Sequence, residues 1–158
     1  MEADLAESVW DYPRPPRVEP VTERIRVVVD GLTIADSTRA VRVLETSHPP
    51  TYYLPPEDVH MDLLSPGAGQ SVCEWKGAAT YLSATVGARR IQDVAWSYER
   101  PLPGYEALTS FVAFYPGRVD EAWVGDERAR PQAGGFYGGW VTSRVTGPFK
   151  GEPGTGGW

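Results

Sequence analysis

Residues 71 to 81, SVCEWKGAATY, gather the chain's only cysteine with a glutamate, a tryptophan, a lysine and a tyrosine. Each of these types does chemistry in the right setting. A thiolate is a nucleophile, a lysine held between strands near aromatic rings binds an anion or serves as a base, and a tyrosine hydroxyl orients a bound molecule. The same types also build a bend between two strands. Cys73 alternates with Trp75 along extended chain and reads as a small buried filler. Lys76 beside Gly77 reads as a solvated turn charge or as a pocket residue, and it is the best functional candidate of the stretch.

Other segments supply partners for it. Asp36-Ser37-Thr38-Arg39 is either a side-chain-capped bend or the carrier of Arg39 as a carboxylate clamp, with Glu45 as its partner or as a general base. Tyr52, Tyr53, Tyr81, Trp96 and Tyr98 are core and cross-strand packing, or else the wall of a cavity; 11% aromatic content exceeds what so small a core needs. Lys76, Glu45, Arg39 and Tyr98 are therefore the expected catalytic groups, and Tyr53, Trp96, Tyr81 and Tyr52 the expected ligand-binding ones. The chemistry they allow is cofactor-independent acid-base work on a small organic substrate, as in a lyase, isomerase or cyclase. Two alternatives stay open: the same pocket used only for binding or sensing, and a protein-interaction or assembly module working through the C-terminal part of the chain.

Composition narrows the partners. A net charge of −6 and a pI near 4.9 disfavour a nucleic-acid backbone, which requires a basic face. One cysteine forms no internal disulfide, and His48, His60 and Cys73 lack the spacing of a structural zinc site, so neither metal nor cofactor is expected. The N-terminal stretch is acidic, with no basic and apolar leader, and no apolar run approaches membrane-spanning length, so a cytoplasmic monomer or homodimer is expected.

The elements that must position these groups are short. Residues 1–22 carry Pro13, Pro15, Pro16 and Pro20 and read as an extended arm, with the folded part starting near Glu23. RIRVVVDGLTIADS predicts a hairpin turning at Asp30-Gly31. TRAVRVLE alternates as a strand; PPTYYLP is a short strand fenced by prolines, which points to a sheet edge. PEDVHMDLL and PGYEALTS predict single helical turns. GQSVCEW and AATYLSATV predict two strands reversing at Lys76-Gly77, with Cys73 and Trp75 on one face and Glu74 and Lys76 on the other. IQDVAWSYE aligns Val94, Trp96 and Tyr98, and SFVAFYPGRVDEAWVGDE closes the core at residue 128. From Ala129 onward nine of the seventeen glycines accompany Phe136, Tyr137, Trp140, Phe149 and Trp158, an extension expected to wrap the core. The sum is an all-β, mostly antiparallel, compact sandwich, barrel-like or tent-like domain with at most short helical turns.

VVVDGLTIADSTRAV, LETSHPPTYYLPPEDV, CEWKGAATY, AWSYERPLP and FVAFYPGRV stand in an order and spacing that resembles the bacterial and fungal domain of unknown function four-twenty-seven family, over about two thirds of the chain. Where that family usually carries Cys-Pro-Tyr-Lys-Gly, this chain has Cys73-Glu74-Trp75-Lys76-Gly77, matching in cysteine, lysine and glycine. FYGGW and GPFKG are similar to an extension found in a subset of its members. The resemblance implies a mostly antiparallel β domain and little defined chemistry. The family is sometimes filed as nucleotidyltransferase-like, yet nucleotidyl transfer needs carboxylates holding magnesium and a phosphate cradle, and the chain has no G-x-x-x-x-G-K-S/T loop.

If folding needs no metal, a chelator will leave the melting temperature unchanged. Stoichiometric zinc that leaves on unfolding is the contrary result.

Overall fold

The computed structural model describes residues 6–73, 75–133 and 137–152, with the side chains of 68–70 left aside. Glu74, Phe136, Trp158 and the first five residues of the arm lie outside this set. In chain order the strands are β1 (Glu7–Ser8), β2 (Arg17–Pro20), β3 (Ile25–Val29), β4 (Leu32–Ser37), β5 (Val41–Leu44), β6 (Thr51–Tyr53), β7 (Leu64–Cys73) and β8 (Gly77–Val86). They continue as β9 (Arg89–Ser97), β10 (Val112–Phe114), β11 (Glu121–Val124), β12 (Glu127–Arg128), β13 (Arg130–Pro131), β14 (Trp140–Val141) and β15 (Val145–Thr146). The described helices are 3-10 turns, among them Pro56–Asp58, Met61–Leu63 and Glu106–Leu108, as the two helical-turn segments predict. None of them is long and apolar enough to cross a membrane.

Turn chemistry sets the hairpins. Asp30 and Gly31 both take positive φ, +50° and +74°, and bring Val29 opposite Leu32, as a two-residue primed turn requires. The Arg89 guanidinium then holds that turn, donating to Asp30 Oδ1 at 2.6 Å and to Asp120 Oδ2 at 2.8 Å. β7 and β8 pair from Cys73 opposite Gly77 downward, so the opening stretch is a hairpin tip. Gly77 has φ +111°, a conformation that L side chains rarely adopt.

Three of the sheets make the body. β12-β11-β3-β4 is one layer; β2-β5-β6 and β10-β9-β8-β7 form the other, bridged where Leu54 pairs with Val112. All these pairings are antiparallel. Along the bridged layer side chains alternate between two apolar clusters. Tyr52, Leu54, Val112 and Phe114 join the main core with Ile25, Val27 and Ile34 of the facing layer. Tyr53, Ala113, Tyr115, Trp96 and Ala79 point to the other side and form an outer, aromatic cluster.

Three expectations change. The segment PPTYYLP is not an edge: β6 pairs β5 on one side and its continuation Leu54 meets Val112 on the other, because the prolines lie just outside the residues that pair. The folded part starts before Glu23. β2 pairs β5 along its length, and Val9 and Tyr12 are buried with Leu44 and Val145; prolines are compatible with an edge strand, where one row of N–H groups has no partner. Val94 does not share a face with Trp96 and Tyr98. Asp93 takes φ +51° at a register shift in the β8–β9 ladder, and Val94 enters the main core instead.

The extension packs on this frame. Trp140 is fully buried, its ring 5.1 Å from that of Tyr52 and its indole N–H donating to the Phe114 carbonyl at 3.0 Å. β1 and β15 pair in parallel, tying the first described strand to the last. Truncating a fully buried tryptophan costs about 3–5 kcal/mol. We expect that loss for Trp140→Ala in denaturant unfolding; a change near zero would mean that the extension is not part of the folded unit.

Candidate functional site

The outer cluster is incompletely covered, and the gap is a cavity of about 250 Å³. Sheet register builds its floor: Tyr81 and Trp96, both on the lining, stand opposite each other, with the fully buried Ala113 next in the same row. Tyr115, two residues beyond Ala113, stacks obliquely on Trp96 with ring centroids 4.6 Å apart. Tyr53 enters from β6 and accepts a hydrogen bond from the Trp96 indole at 3.2 Å, its ring edge-on to the tryptophan and 6.2 Å from Tyr98. Gly138 of the extension lies close against the Trp96 indole, where any Cβ would collide with it.

The polar groups come from three places. Lys76 reaches the cavity from the β7–β8 hairpin tip and is buried, 8% exposed. Its carbonyl accepts the Leu102 amide, which fixes the tip. Glu45 and His48 come from the turn after β5, where Ser47 takes φ +71° and folds the chain back on itself. Lys150 and Tyr137 come from the extension, with the ammonium 5.7 Å from the Tyr137 ring centroid.

Gln132 organises this polar edge. Its Oε1 accepts the Gly139 amide at 3.2 Å, which leaves the amide nitrogen two donations: to the Lys150 carbonyl at 2.6 Å and to His48 Nδ1 at 3.2 Å. With Nδ1 accepting, the neutral imidazole carries its proton on Nε2, 4.0 Å from Glu45 Oε2. Burial, followed by the positive charges of Lys150, Lys76 and Arg14, lowers the His48 pKa to about 4. Burial pushes the Tyr53 and Tyr98 phenols well up, so both stay protonated near neutrality and act as hydrogen-bonding groups rather than bases. Glu45, 3.9 Å from the Arg14 guanidinium, is the one carboxylate among the described residues of the lining.

The lining unites most of the residues expected from the sequence: Lys76, Glu45, Tyr98, Tyr53, Trp96 and Tyr81. Two are elsewhere. Arg39 is an exposed side chain bound to Asp58, donating to Oδ1 at 2.8 Å and to Oδ2 at 3.2 Å, so its carboxylate partner is Asp58 and not Glu45. Tyr52 faces the main core, because its neighbour Tyr53 faces the cavity and adjacent strand residues cannot share a side. Cys73 is half-buried and lines the cavity rather than filling the core. His48, Gln132, Tyr137 and Lys150 were not anticipated as site residues. For His48 a signal exists: Glu45-x-x-His48 immediately before Pro49-Pro50. Among the described residues no three His, Cys, Asp or Glu side chains converge to hold a metal.

Residues 17–125 match the sequence pattern of a family described as Domain of unknown function (DUF427). No curated protein matches the chain. The match covers the aromatic floor, Glu45, His48 and Lys76, while Gln132, Tyr137, Gly138 and Lys150 lie beyond it.

Between pH 6.5 and about 4 the unfolded chain binds a proton at His48 that the folded chain does not, so stability falls as pH drops through that window. The slope from this residue is at most about 1.4 kcal/mol per pH unit. The carboxylates held below their usual range, among them Asp36, Asp58 and Asp120, lose stability only as pH falls below their ordinary values near 3.8. Unfolding free energies measured at pH 6.5 and 5 should therefore diverge in the wild type and converge in His48→Gln. A pH-independent wild type over that interval would contradict a buried neutral His48.

Proposed function

The chain belongs to the family described as Domain of unknown function (DUF427), and we propose that it acts on a small organic molecule held in the aromatic cavity, with Glu45 exchanging the proton. The observation that carries this reading is the convergence, on one cavity, of a carboxylate, a buried lysine and protonated phenols above an aromatic floor. The roles divide by chemistry. Trp96 and Tyr81 offer flat surface to a ring or unsaturated group; Tyr53 and Tyr98 orient polar atoms; Lys76 stabilises negative charge, in the substrate or developing during reaction. Glu45 accepts or returns a proton, and the imidazole Nε2–H of His48 lies on its side of the cavity. Such a set suits a cofactor-independent lyase, isomerase or cyclase.

Binding without turnover is the second use of the same groups. The buried aromatics favour it: a site 250 Å³ in volume and walled by packed rings holds a ligand whether or not a proton moves. An assembly role through the extension draws less support, since Trp140 is already buried against Tyr52. A lone half-buried thiol accords with a reducing, cytoplasmic setting.

Turnover separates the two uses. Incubating the protein with small carbonyl compounds and unsaturated acids in deuterium oxide, with NMR detection, should reveal deuterium entering an acidic C–H position. Glu45→Gln should lower that exchange by about 10²-fold or more, the usual worth of a general base, with the melting temperature kept. Exchange equal in wild type and variant would remove Glu45 from the chemistry, and saturable binding with no exchange would leave a binding protein.

A further inference from the structure

The cavity's charge says more about what enters it. Lys76 is only 8% exposed, and among the described residues no carboxylate lies within ion-pair distance of its ammonium group. Glu45, the acid on the lining, is turned toward Arg14 and His48 instead, at 3.9 and 4.0 Å. A buried ammonium without a counter-charge is a costly arrangement, offset when an anion arrives. After burial itself, the positive charges of Lys150, Lys76 and Arg14 also oppose protonation of His48.

We infer that the ligand is a small aromatic monocarboxylate of the aryl-alkanoate or aryl-acrylate type, its carboxylate on the Lys76 ammonium and its ring against Trp96 and Tyr81. This rests on the reading of the cavity as a small-molecule site. Three features choose the class. About 250 Å³ accommodates one ring and a short side chain. Tyr81 and Trp96, opposite each other across the sheet, both line the cavity, and the small Ala79 shares that lining. Among the described residues the lining holds lysines and no arginine, so it offers point charges rather than a planar fork, and a monoanion suits it better than a phosphate dianion. Glu45, on the same lining, disfavours a second negative group on the ligand.

The test uses benzoate, phenylacetate, cinnamate and indole-3-acetate, their primary amides, and inorganic phosphate, with binding followed by calorimetry on the full chain. At least one acid should bind the wild type about tenfold or more tightly than its own amide, a difference of about 1.4 kcal/mol. Lys76→Met should lose that preference while binding the amide within about twofold of wild type, and its melting temperature should not fall, because the change removes an uncompensated buried charge. Lys76→Arg, which restores a cation, should recover part of the preference and serves if the methionine variant does not fold. Acids and amides binding alike, phosphate binding as tightly as any acid, or an acid preference that survives Lys76→Met would each overturn the carboxylate while sparing the cavity as a small-molecule site. If no acid and no amide binds, the inference and the cavity reading fall together.

Discussion

A strand cannot choose to bury one side chain and its neighbour on the same side, and here the bridged layer has apolar residues at both parities. Tyr52 and Tyr53, Val112 and Ala113, Phe114 and Tyr115 are all buried. Such a layer needs two covers. The β12-β11-β3-β4 sheet supplies the first and seals the main core. The second is assembled from pieces: the turn carrying Tyr105 and Leu108, and the extension at Tyr137 and Gly138. The cavity is the space that this second, piecemeal cover leaves open, which is why its walls come from irregular chain and its floor from regular strands.

Close contact and polar satisfaction fix that cover in place. Gly138 approaches the Trp96 indole closely because it has no side chain, and Gly139 next to it is pressed between Pro49 and the Gln132 amide. The Gln132 amide spends its oxygen and both hydrogens on Gly139, Lys150 and His48, so one buried side chain sets the spacing of the extension and the tautomer of the histidine. The outer arm is held differently. Arg42 is shared between Glu7 and Glu19, its guanidinium largely covered while the carboxylates are partly exposed, so salt screens the network less than a fully exposed one.

Local chemistry made much of this legible in the sequence. Asp30-Gly31, the alternation through β7 and β8, and the aromatic load of β9 are each written in adjacent residues. Parity and distance were not. Nothing within TYY says which tyrosine meets the core, so Tyr52 and Tyr53 were indistinguishable as pocket residues until the register with β5 was known. A single positive φ at Asp93 moved Val94 to the other face. Arg39 found Asp58, nineteen positions on, because a 3-10 turn after β6 returns that carboxylate to the Ser37 bend. Gln132 and His48 stand eighty-four positions apart and share one hydrogen bond, a coupling with no trace in either neighbourhood.

The parallel pairing of β1 with β15 acquires meaning when the chain is considered during its synthesis. Glu7 finds Val145 only after nearly the whole length between them has been made, and the cavity takes residues from Val43 to Lys150. On a ribosome, the hairpins of β3–β4 and β7–β8 have their partners within a few residues, whereas the aromatic floor waits for its cover. The nascent chain thus passes through an interval in which Trp96, Tyr53 and Tyr115 face water, the kind of interval in which a chaperone is recruited or two chains adhere. The cavity is in this sense the last thing the polypeptide completes, and premature termination anywhere before Lys150 removes part of its wall.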